Sequence, residues 1–338
     1  MQDFRSLNLA EIEQIVEDFG EKKYRAKQAY LWARKGIESY DEMTNTPQNL
    51  REHFAKSYKI VTFNLQKRLE SAQDFVVKYL CALHDGEQVE SVLMKYKHGY
   101  SLCVSTQVGC KMGCKFCVSS QCGFVRNLTA GEIEGQIHFA EKESGIKISN
   151  VVFMGIGEPL DNFENVVRAV ELIQDPHGLN ISPRKISIST CGLVDKIYDL
   201  LKVLPKFTLS ISLHAPNDET RKKIMPITNK WSVSELLKAC FDYQAITNRR
   251  ISYEYVLIDG VNTSDEQAIE LAKILKNHKG HVNLIRVNKG RENIDRPKID
   301  TALRFRDILM KHGINVTIRR TLGADIDAAC GQLKNSNK

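Results

Sequence analysis

Leu9, Ile12, Ile15, Val16 and Phe19 return at helical spacing, and Gly20 follows where a C-terminal cap belongs, so an amphipathic helix is predicted near the start of the chain. A second helix is predicted from Tyr24 to Lys35, and residues 7 to about 60 read as short helices of a small accessory domain. Further on the period shortens. Phe75 to Leu83 and Gln88 to Tyr96 are strand-like runs separated by His84-Asp85-Gly86-Glu87, whose Asp-Gly pair signals a hairpin. From residue 100, strand-like runs alternate with helical stretches: Ser101 to Val104, Asn150 to Met154, Lys185 to Ser189, Phe207 to Ser212, Ile251 to Leu257, Val282 to Val287 and Asn315 to Ile318. That alternation predicts parallel β/α architecture. The expected division is a helical accessory domain at 1–74, a hairpin connector at 75–99, a barrel-sized α/β domain at 100–333 and a tail at 334–338.

Parallel β/α folds gather their chemistry where strands end. Beyond the first predicted strand comes a loop with three cysteines, and beyond the second comes Gly155-Ile156-Gly157-Glu158-Pro159. Ser189-Thr190 closes the third, Leu213-His214 follows the fourth, and Asn288 follows the sixth. One rim therefore collects the polar and glycine-rich groups. The Gly-Ile-Gly-Glu stretch lacks a third glycine and runs straight into Pro159, which argues against a dinucleotide fingerprint.

Composition narrows the class. A hydrophobic content of 42% over 338 residues suits a globular domain with a substantial core. The 48 Lys and Arg exceed 41 Asp and Glu by a formal +7, a mild excess compatible with a polyanionic partner. Lys22, Lys23, Arg25, Lys27, Arg34 and Lys35 could contact phosphates or simply solvate a helix face. Lys289, Arg291, Arg296 and Lys298, with Arg319-Arg320, form a second candidate basic rim. No run of about 18 apolar residues and no basic leader followed by an apolar stretch is present, so a cytoplasmic protein without membrane contact is expected. Nine cysteines, an odd number, make a disulfide framework unexpected, and Cys81 and Cys240 read as core residues.

The cysteine loop, Cys110-Lys111-Met112-Gly113-Cys114-Lys115-Phe116-Cys117, places three thiols at x3 and x2 spacing, with Gly109 and Gly113 letting the backbone wrap. Structural zinc usually asks for a second pair; Cys103 or Cys122 could serve as a fourth ligand, and a zinc-stabilised RNA-binding protein then results. Three thiolates on a four-iron cubane would instead leave one iron open, unlike the four-cysteine sites of electron carriers. The spacing is similar to that of the radical S-adenosylmethionine superfamily, whose cofactor chelates the open iron through its amino and carboxylate groups.

Several further stretches extend this likeness. Leu102-Cys103-Val104-Ser105, Arg126-Asn127-Leu128-Thr129, Met154 to Leu160, Ser212-Leu213-His214-Ala215-Pro216-Asn217-Asp218 and Asp325-Ile326-Asp327-Ala328-Ala329-Cys330-Gly331-Gln332-Leu333 closely resemble the RlmN/Cfr family of RNA adenine methyltransferases. The resemblance implies a partial (β/α) barrel of the radical S-adenosylmethionine type, with a small N-terminal helical domain. It implies a 4Fe-4S cluster on Cys110, Cys114 and Cys117, and S-adenosylmethionine held by Gly157, Glu158, Ser189, Ser212, Leu213, His214 and Asn288. The substrate implied is carbon 2 of adenine in 23S rRNA at the peptidyl transferase centre, with tRNA next to the anticodon as a second candidate. A flavodoxin or ferredoxin would supply electrons. Val282-Asn283-Leu284-Ile285-Arg286 and Thr317-Ile318-Arg319 also resemble the Cfr branch, so a carbon-8 enzyme conferring antibiotic resistance is the nearest rival.

Carbon 2 lies between two ring nitrogens and is electrophilic, so a sulfonium methyl offers it no direct route. In the family's chemistry, carried over to this chain, Cys330 first accepts a methyl group, and a 5′-deoxyadenosyl radical then takes hydrogen from it. The carbon radical adds to adenine, Glu90 removes the carbon-2 proton, and Cys103 resolves the crosslink by disulfide formation. Glu90 is assigned by its thirteen-residue offset before Cys103; read alone it is a solvated strand carboxylate. Read alone, Cys103 is core by alternation, His214 is a capping or core histidine, and acidic neighbours would raise the pKa of Cys330. Ile156, where the family often has methionine, and Cys122, in the stretch after the cluster motif, depart from the pattern.

Overall fold

The computed structural model describes residues 1–203, 207–288 and 294–333, so the tail at 334–338 and Lys289 and Arg291 of the expected rim lie outside the described residues. Ten strands make one sheet: β1 Asn64–Glu70, β2 Val76–Ala82, β3 Gln88–Tyr96, β4 Gly99–Cys103, β5 Asn150–Phe153, β6 Ile186–Thr190, β7 Thr208–Ser212, β8 Ile251–Leu257, β9 Gly280–Arg286 and β10 Val316–Ile318. Spatial order follows chain order from β1 to β10. The pairings from β1 through β4 are antiparallel, and those from β4 through β10 are parallel. The outermost strands β1 and β10 stand at opposite edges, which leaves the barrel partial.

Helices join the parallel strands: α4 Ala130–Ser144, α5 Phe163–Gln174, α6 Val194–Val203, α7 Asp218–Ile224 with α8 Val233–Thr247, α9 Asp265–Leu275 and α10 Ile299–Lys311. Capping boxes start α4, α8 and α9, with Thr129, Ser232 and Ser264 each answered three residues later by Glu132, Glu235 and Gln267. Alternation then decides which residues face the helices. Ile186, Ile188, Leu209 and Ile211 are buried in the core. Their neighbours form a polar ladder, in which Ser187 and Ser210 hydroxyls meet at 3.2 Å. Glu254 continues it, accepting from Ser252 and Asn283 at 2.8 Å each. Such satisfied polar groups let the strand ends carry a polar site beside an apolar core.

The N-terminal unit packs α1 Leu9–Asp18, α2 Tyr24–Arg34 and α3 Gln48–Ser57 around Phe4, Ile12, Val16, Ala29, Leu50 and Phe54. Asn8 and Glu11 form the capping box of α1. The unit docks on α4, where Arg34 Nη1 meets Glu134 Oε1 at 2.8 Å with both side chains fully buried. One strand differs from expectation. β1 lies within the segment expected to be helical, pairs with β2 and carries only two apolar residues. Two apolar residues suffice because β1 is an edge strand, largely solvated. The hairpin β2–β3 continues into the barrel through β3–β4 pairing, with Val92 opposite Cys103. Among the described residues, no helix is long and apolar enough to cross a membrane.

Candidate functional site

At the C-terminal ends of the parallel strands lies a cavity of about 160 Å³, and Cys110, Cys114 and Cys117 all reach its wall. Their loop is fixed from three sides. A two-stranded ribbon, Gln107–Gly109 against Phe124–Asn127, holds its base, and the Cys110 amide donates to the Gly123 carbonyl at 2.8 Å. The Lys115 amide donates to the Ile224 carbonyl at 2.9 Å, and the Ser120 hydroxyl to the Cys114 and Cys117 carbonyls at 2.9 and 2.8 Å. Burial pushes the Cys110 thiol up to about 12 and Cys114 higher still. Groups so placed become thiolates only when a cation compensates them. No disulfide joins the described cysteines, and no three His, Cys, Asp or Glu side chains among the described residues close around a single metal ion.

Gly157, Glu158, Ser189, Ser212, His214 and Asn288 line the same cavity. Gly157 has φ +108°, and a Cβ there would lie 2.7 Å from Gln107 Cβ, so only glycine fits. The Glu158 carboxylate accepts from the Leu160 amide at 3.1 Å and the Cys191 amide at 2.7 Å, joining the loop after β5 to the end of β6. Burial nevertheless raises its pKa. His214 Nδ1 accepts from the Val256 amide at 3.0 Å, which leaves the ring proton on Nε2, and burial followed by the Arg221 charge holds its pKa at about 3. It is a neutral donor. Asn288 donates to the Cys330 carbonyl at 3.1 Å, while its buried Oδ1 has no partner among the described residues. Leu213 is brought nearby but not onto the wall; its side chain is wholly buried in the core.

Cys330 lies on the wall of this cavity and also of a smaller one of about 30 Å³, which Cys103 lines from β4. Met154, Ile285, Asn288 and Arg319 are likewise shared by both. Burial, then the charge of Cys330, pushes the Cys103 thiol up to about 12. The acidic residues near Cys330 in sequence are engaged elsewhere. Asp325 accepts from the Ser71 hydroxyl at 2.8 Å and the Ala72 amide at 2.9 Å, and Asp327 accepts from Gln332 at 3.2 Å. Cys330, together with Glu254 and Tyr96, holds the Arg319 guanidinium above its ordinary pKa. Arg319 is thus the cation beside this thiol.

Glu90 lines neither cavity. It is not the solvated residue that its position alone suggests: it is buried on β3, and Lys78 Nζ from β2 lies 3.3 Å from its Oε1. Lys78 also donates to the Asp327 carbonyl at 3.1 Å, so one ammonium ties Glu90 to the loop carrying Cys330. The Ser105 hydroxyl donates to the Glu90 carbonyl at 2.6 Å and accepts from the Ile156 amide at 3.0 Å. Ile156 is therefore a buried structural residue of the loop after β5. Sequence reasoning missed Lys78, Arg221, Cys191 and Glu254, and named Arg319 only as part of a basic rim. Of the four missed, Cys191, directly after Ser189-Thr190, carried a positional signal at a strand end.

The chain was compared with known proteins. Residues 104–272 match the Radical SAM superfamily, and residues 2–60 match the ribosomal RNA large subunit methyltransferase N-terminal domain. A probable dual-specificity RNA methyltransferase RlmN from Clostridium novyi is 48% identical, covering 99% of this chain and 98% of that protein. Another, from Alkaliphilus metalliredigens, is 46% identical over 98% of this chain and 95% of its own length. The crystal structure of a radical SAM methyltransferase from Sphaerobacter thermophilus superposes with a TM-score of 0.92 at 39% identity, covering 98% of this chain and 99% of that one.

Proposed function

Because the chain belongs to the RlmN family of radical S-adenosylmethionine RNA methyltransferases, we propose that it methylates carbon 2 of adenine in 23S rRNA and in tRNA, with Cys330 as the methyl carrier. The observation that carries the reading is the position of Cys330 on the wall common to two cavities, one lined by the three motif cysteines and the other by Cys103. A thiol that must first face a cofactor and later a resolving thiol needs such a place.

The residues present fit the superfamily's cofactors. Three thiols from one loop line the cavity, Gly157 lets its loop pack tightly on Gln107 at the cavity wall, and Asn288 Oδ1 is a buried acceptor still to be satisfied. Cys110, Cys114 and Cys117 would hold a 4Fe-4S cluster, and Gly157, Glu158, Ser189, Ser212, His214 and Asn288 would hold S-adenosylmethionine. Leu213 would contribute through its backbone. Bound there, the pair supplies one-electron cleavage of the sulfonium and with it a 5′-deoxyadenosyl radical.

The remaining steps fall to this chain's own side chains. Cys330 would be the nucleophile that takes the sulfonium methyl, with S-adenosylhomocysteine as the leaving group, and Arg319 lines the same cavity wall. Glu90 accepts the carbon-2 proton, with Lys78 Nζ 3.3 Å from its carboxylate. Cys103 attacks the Cys330 sulfur, forming a disulfide as the carbon–sulfur bond to the base breaks. The target adenine must be unpaired and turned out of its stack to reach these groups. Of the basic residues near the site, Arg320 lines the smaller cavity, and Arg296 donates at 3.0 Å to Thr321, which lines it too. We place the enzyme in the cytoplasm with its RNA substrates, and assign electron supply to a flavodoxin or ferredoxin.

Mass spectrometry of adenosine from treated RNA tests the site of methylation: a methyl on carbon 8 overturns the carbon-2 reading. Two variants test the thiols. Cys330→Ala should carry no protein-bound methyl and form no adduct, whereas Cys103→Ala should stall as an RNase-sensitive RNA–protein adduct on denaturing gels. Normal turnover of Cys103→Ala, or an adduct from Cys330→Ala, reverses the assigned order.

A further inference from the structure

Arg221, near the C-terminal end of α7, is completely buried. Its Nε donates to the Leu213 carbonyl at 2.9 Å and Nη1 to the Thr228 hydroxyl at 3.1 Å. Nη2 donates to the Cys191 and Ser212 carbonyls at 2.6 and 2.9 Å. All four acceptors are neutral. Among the described residues no carboxylate comes within the 4.0 Å of an ion pair. The carboxylates of neighbouring elements have other duties: Asp218 accepts from the Val233 amide at 2.7 Å, Glu158 holds two amides, and Glu254 is engaged by Ser252 and Asn283.

A buried cation left with neutral acceptors alone is costly. Its location accounts for the arrangement. Cys191 and Ser212, whose carbonyls it holds, line the cavity beside Cys114, and Met225 next to α7 lines it too. The Ile224 carbonyl, three residues along, accepts the Lys115 amide of the cysteine loop. Arg221 therefore stands directly behind the wall that faces the three thiols.

We propose that Arg221 is the fixed counter-charge of the iron–sulfur site, its positive charge favouring the reduced cluster and so raising its reduction potential. The inference rests on the cluster reading of Cys110, Cys114 and Cys117. Three thiolates on a 4Fe-4S core of charge +2 sum to −1, and one-electron reduction makes this −2. A cation held in a low-dielectric wall stabilises the second state more than the first. The negative charge of that site would in turn offset the burial of Arg221. Its hydrogen bonds supply a second service, fixing the ends of β6 and β7 where the cofactor residues emerge.

The test uses the full chain, reconstituted anaerobically without RNA, as wild type, Arg221→Met, Arg221→Gln and Arg221→Lys. Iron is counted first, and the midpoint potential is then read from the electron paramagnetic resonance of the reduced cluster. The neutral variants should titrate at lower potential than wild type, while Arg221→Lys, which keeps the charge and loses part of the bonding, should remain near it. A loaded neutral variant with the wild-type potential overturns the proposal. Should both neutral variants fail to fold, Arg221→Lys decides: a retained potential with lowered melting temperature supports the counter-charge, and a potential well below wild type overturns it. A wild-type chain that binds no iron would instead refute the cluster reading itself.

Discussion

Two buried charged regions of this molecule are built in opposite ways. Where the N-terminal unit meets α4, Arg34 is answered within the chain by Glu134 at 2.8 Å, and Glu134 in turn faces Arg5 and His138. Burial alone would raise the Glu134 carboxyl, but the Arg34 charge, the His138 hydrogen bond and the Arg5 charge overcome it and hold it at about 2. Behind the cavity, Arg221 has only neutral acceptors, the Cys110 and Cys114 thiols are pushed up by burial, and Asn288 Oδ1 lacks a partner among the described residues. The junction pairs its buried charges within the chain, although Glu134 Oε2, Arg34 Nε and Arg5 Nε make no hydrogen bond among the described residues. The cavity becomes complete when a ligand supplies charge and donors, which is the signature of a binding site rather than of a structural core.

Removing a cluster ligand should have the largest effect and strike the cavity alone. Cys114→Ala should lose the four-iron cluster and all S-adenosylmethionine cleavage, because two thiolates do not hold a cubane built for three. Iron and sulfide analysis after reconstitution measures the first and quantitation of 5′-deoxyadenosine the second. Undiminished iron with full activity contradicts the assignment of the loop. The junction should be untouched, so near-ultraviolet circular dichroism and the unfolding of the apo form should match wild type closely.

This contrast also decides what the sequence could reveal. The strands β5 to β9 were legible because short β-branched and apolar runs recur between helical stretches, with strict alternation in Ile186-Ser187-Ile188-Ser189 and Leu209-Ser210-Ile211-Ser212, and the rim residues were legible because parallel strands expose chemistry at one end. The cysteine spacing stood out because three thiols crowded into eight residues can all reach one small inorganic centre. β1 was not legible: Asn64-Leu65-Gln66-Lys67-Arg68-Leu69-Glu70 gives an edge strand little to bury. Arg221 and Lys78 were hidden for a different reason. A lysine or arginine in a helix or strand ordinarily solvates a surface, and only the tertiary structure shows that both are inside. Leu213 shows the converse, since a residue next to the site by sequence places its side chain in the core.

The junction gives the next effect in size. Glu134→Gln should remove about 3 kcal/mol or more of stability, because it leaves Arg34 buried without its counter-charge. The pH dependence follows from the depressed carboxyl. Its contribution is fully present above the ordinary value of 4.5 and is lost as pH falls toward about 2, since the unfolded chain then binds the proton that the folded chain resists. Asp3, whose pKa burial raises, runs the other way. The difference between wild type and Glu134→Gln therefore isolates the Glu134 contribution, and urea unfolding from pH 6 to pH 3 should show that difference shrinking. A constant gap across that window contradicts the pairing. Gly131→Ala should cost less, about 1–3 kcal/mol, by driving a methyl into the Asp3 carboxylate that packs on α4.

The smallest effect separates burial from charge as the origin of the junction's strength. Lys142 and Glu38 also bridge α4 and the N-terminal unit, at 2.6 Å, but their side chains are 70% and 45% exposed. The geometry is as good as that of Arg34 and Glu134; the surroundings are not. In water the attraction is weak, and it is offset by the entropy of fixing two long side chains, so Lys142→Ala should cost about half a kcal/mol or less. The loss should fade further at high salt, whereas that of Glu134→Gln should persist, because the buried pair is screened far less. Urea unfolding of both variants at low and high ionic strength measures this. A Lys142→Ala loss as large as that of Glu134→Gln, unchanged by salt, would mean that ion pairs as such hold the N-terminal unit in place, and that completing the buried charge within the chain is not what distinguishes the junction from the cavity.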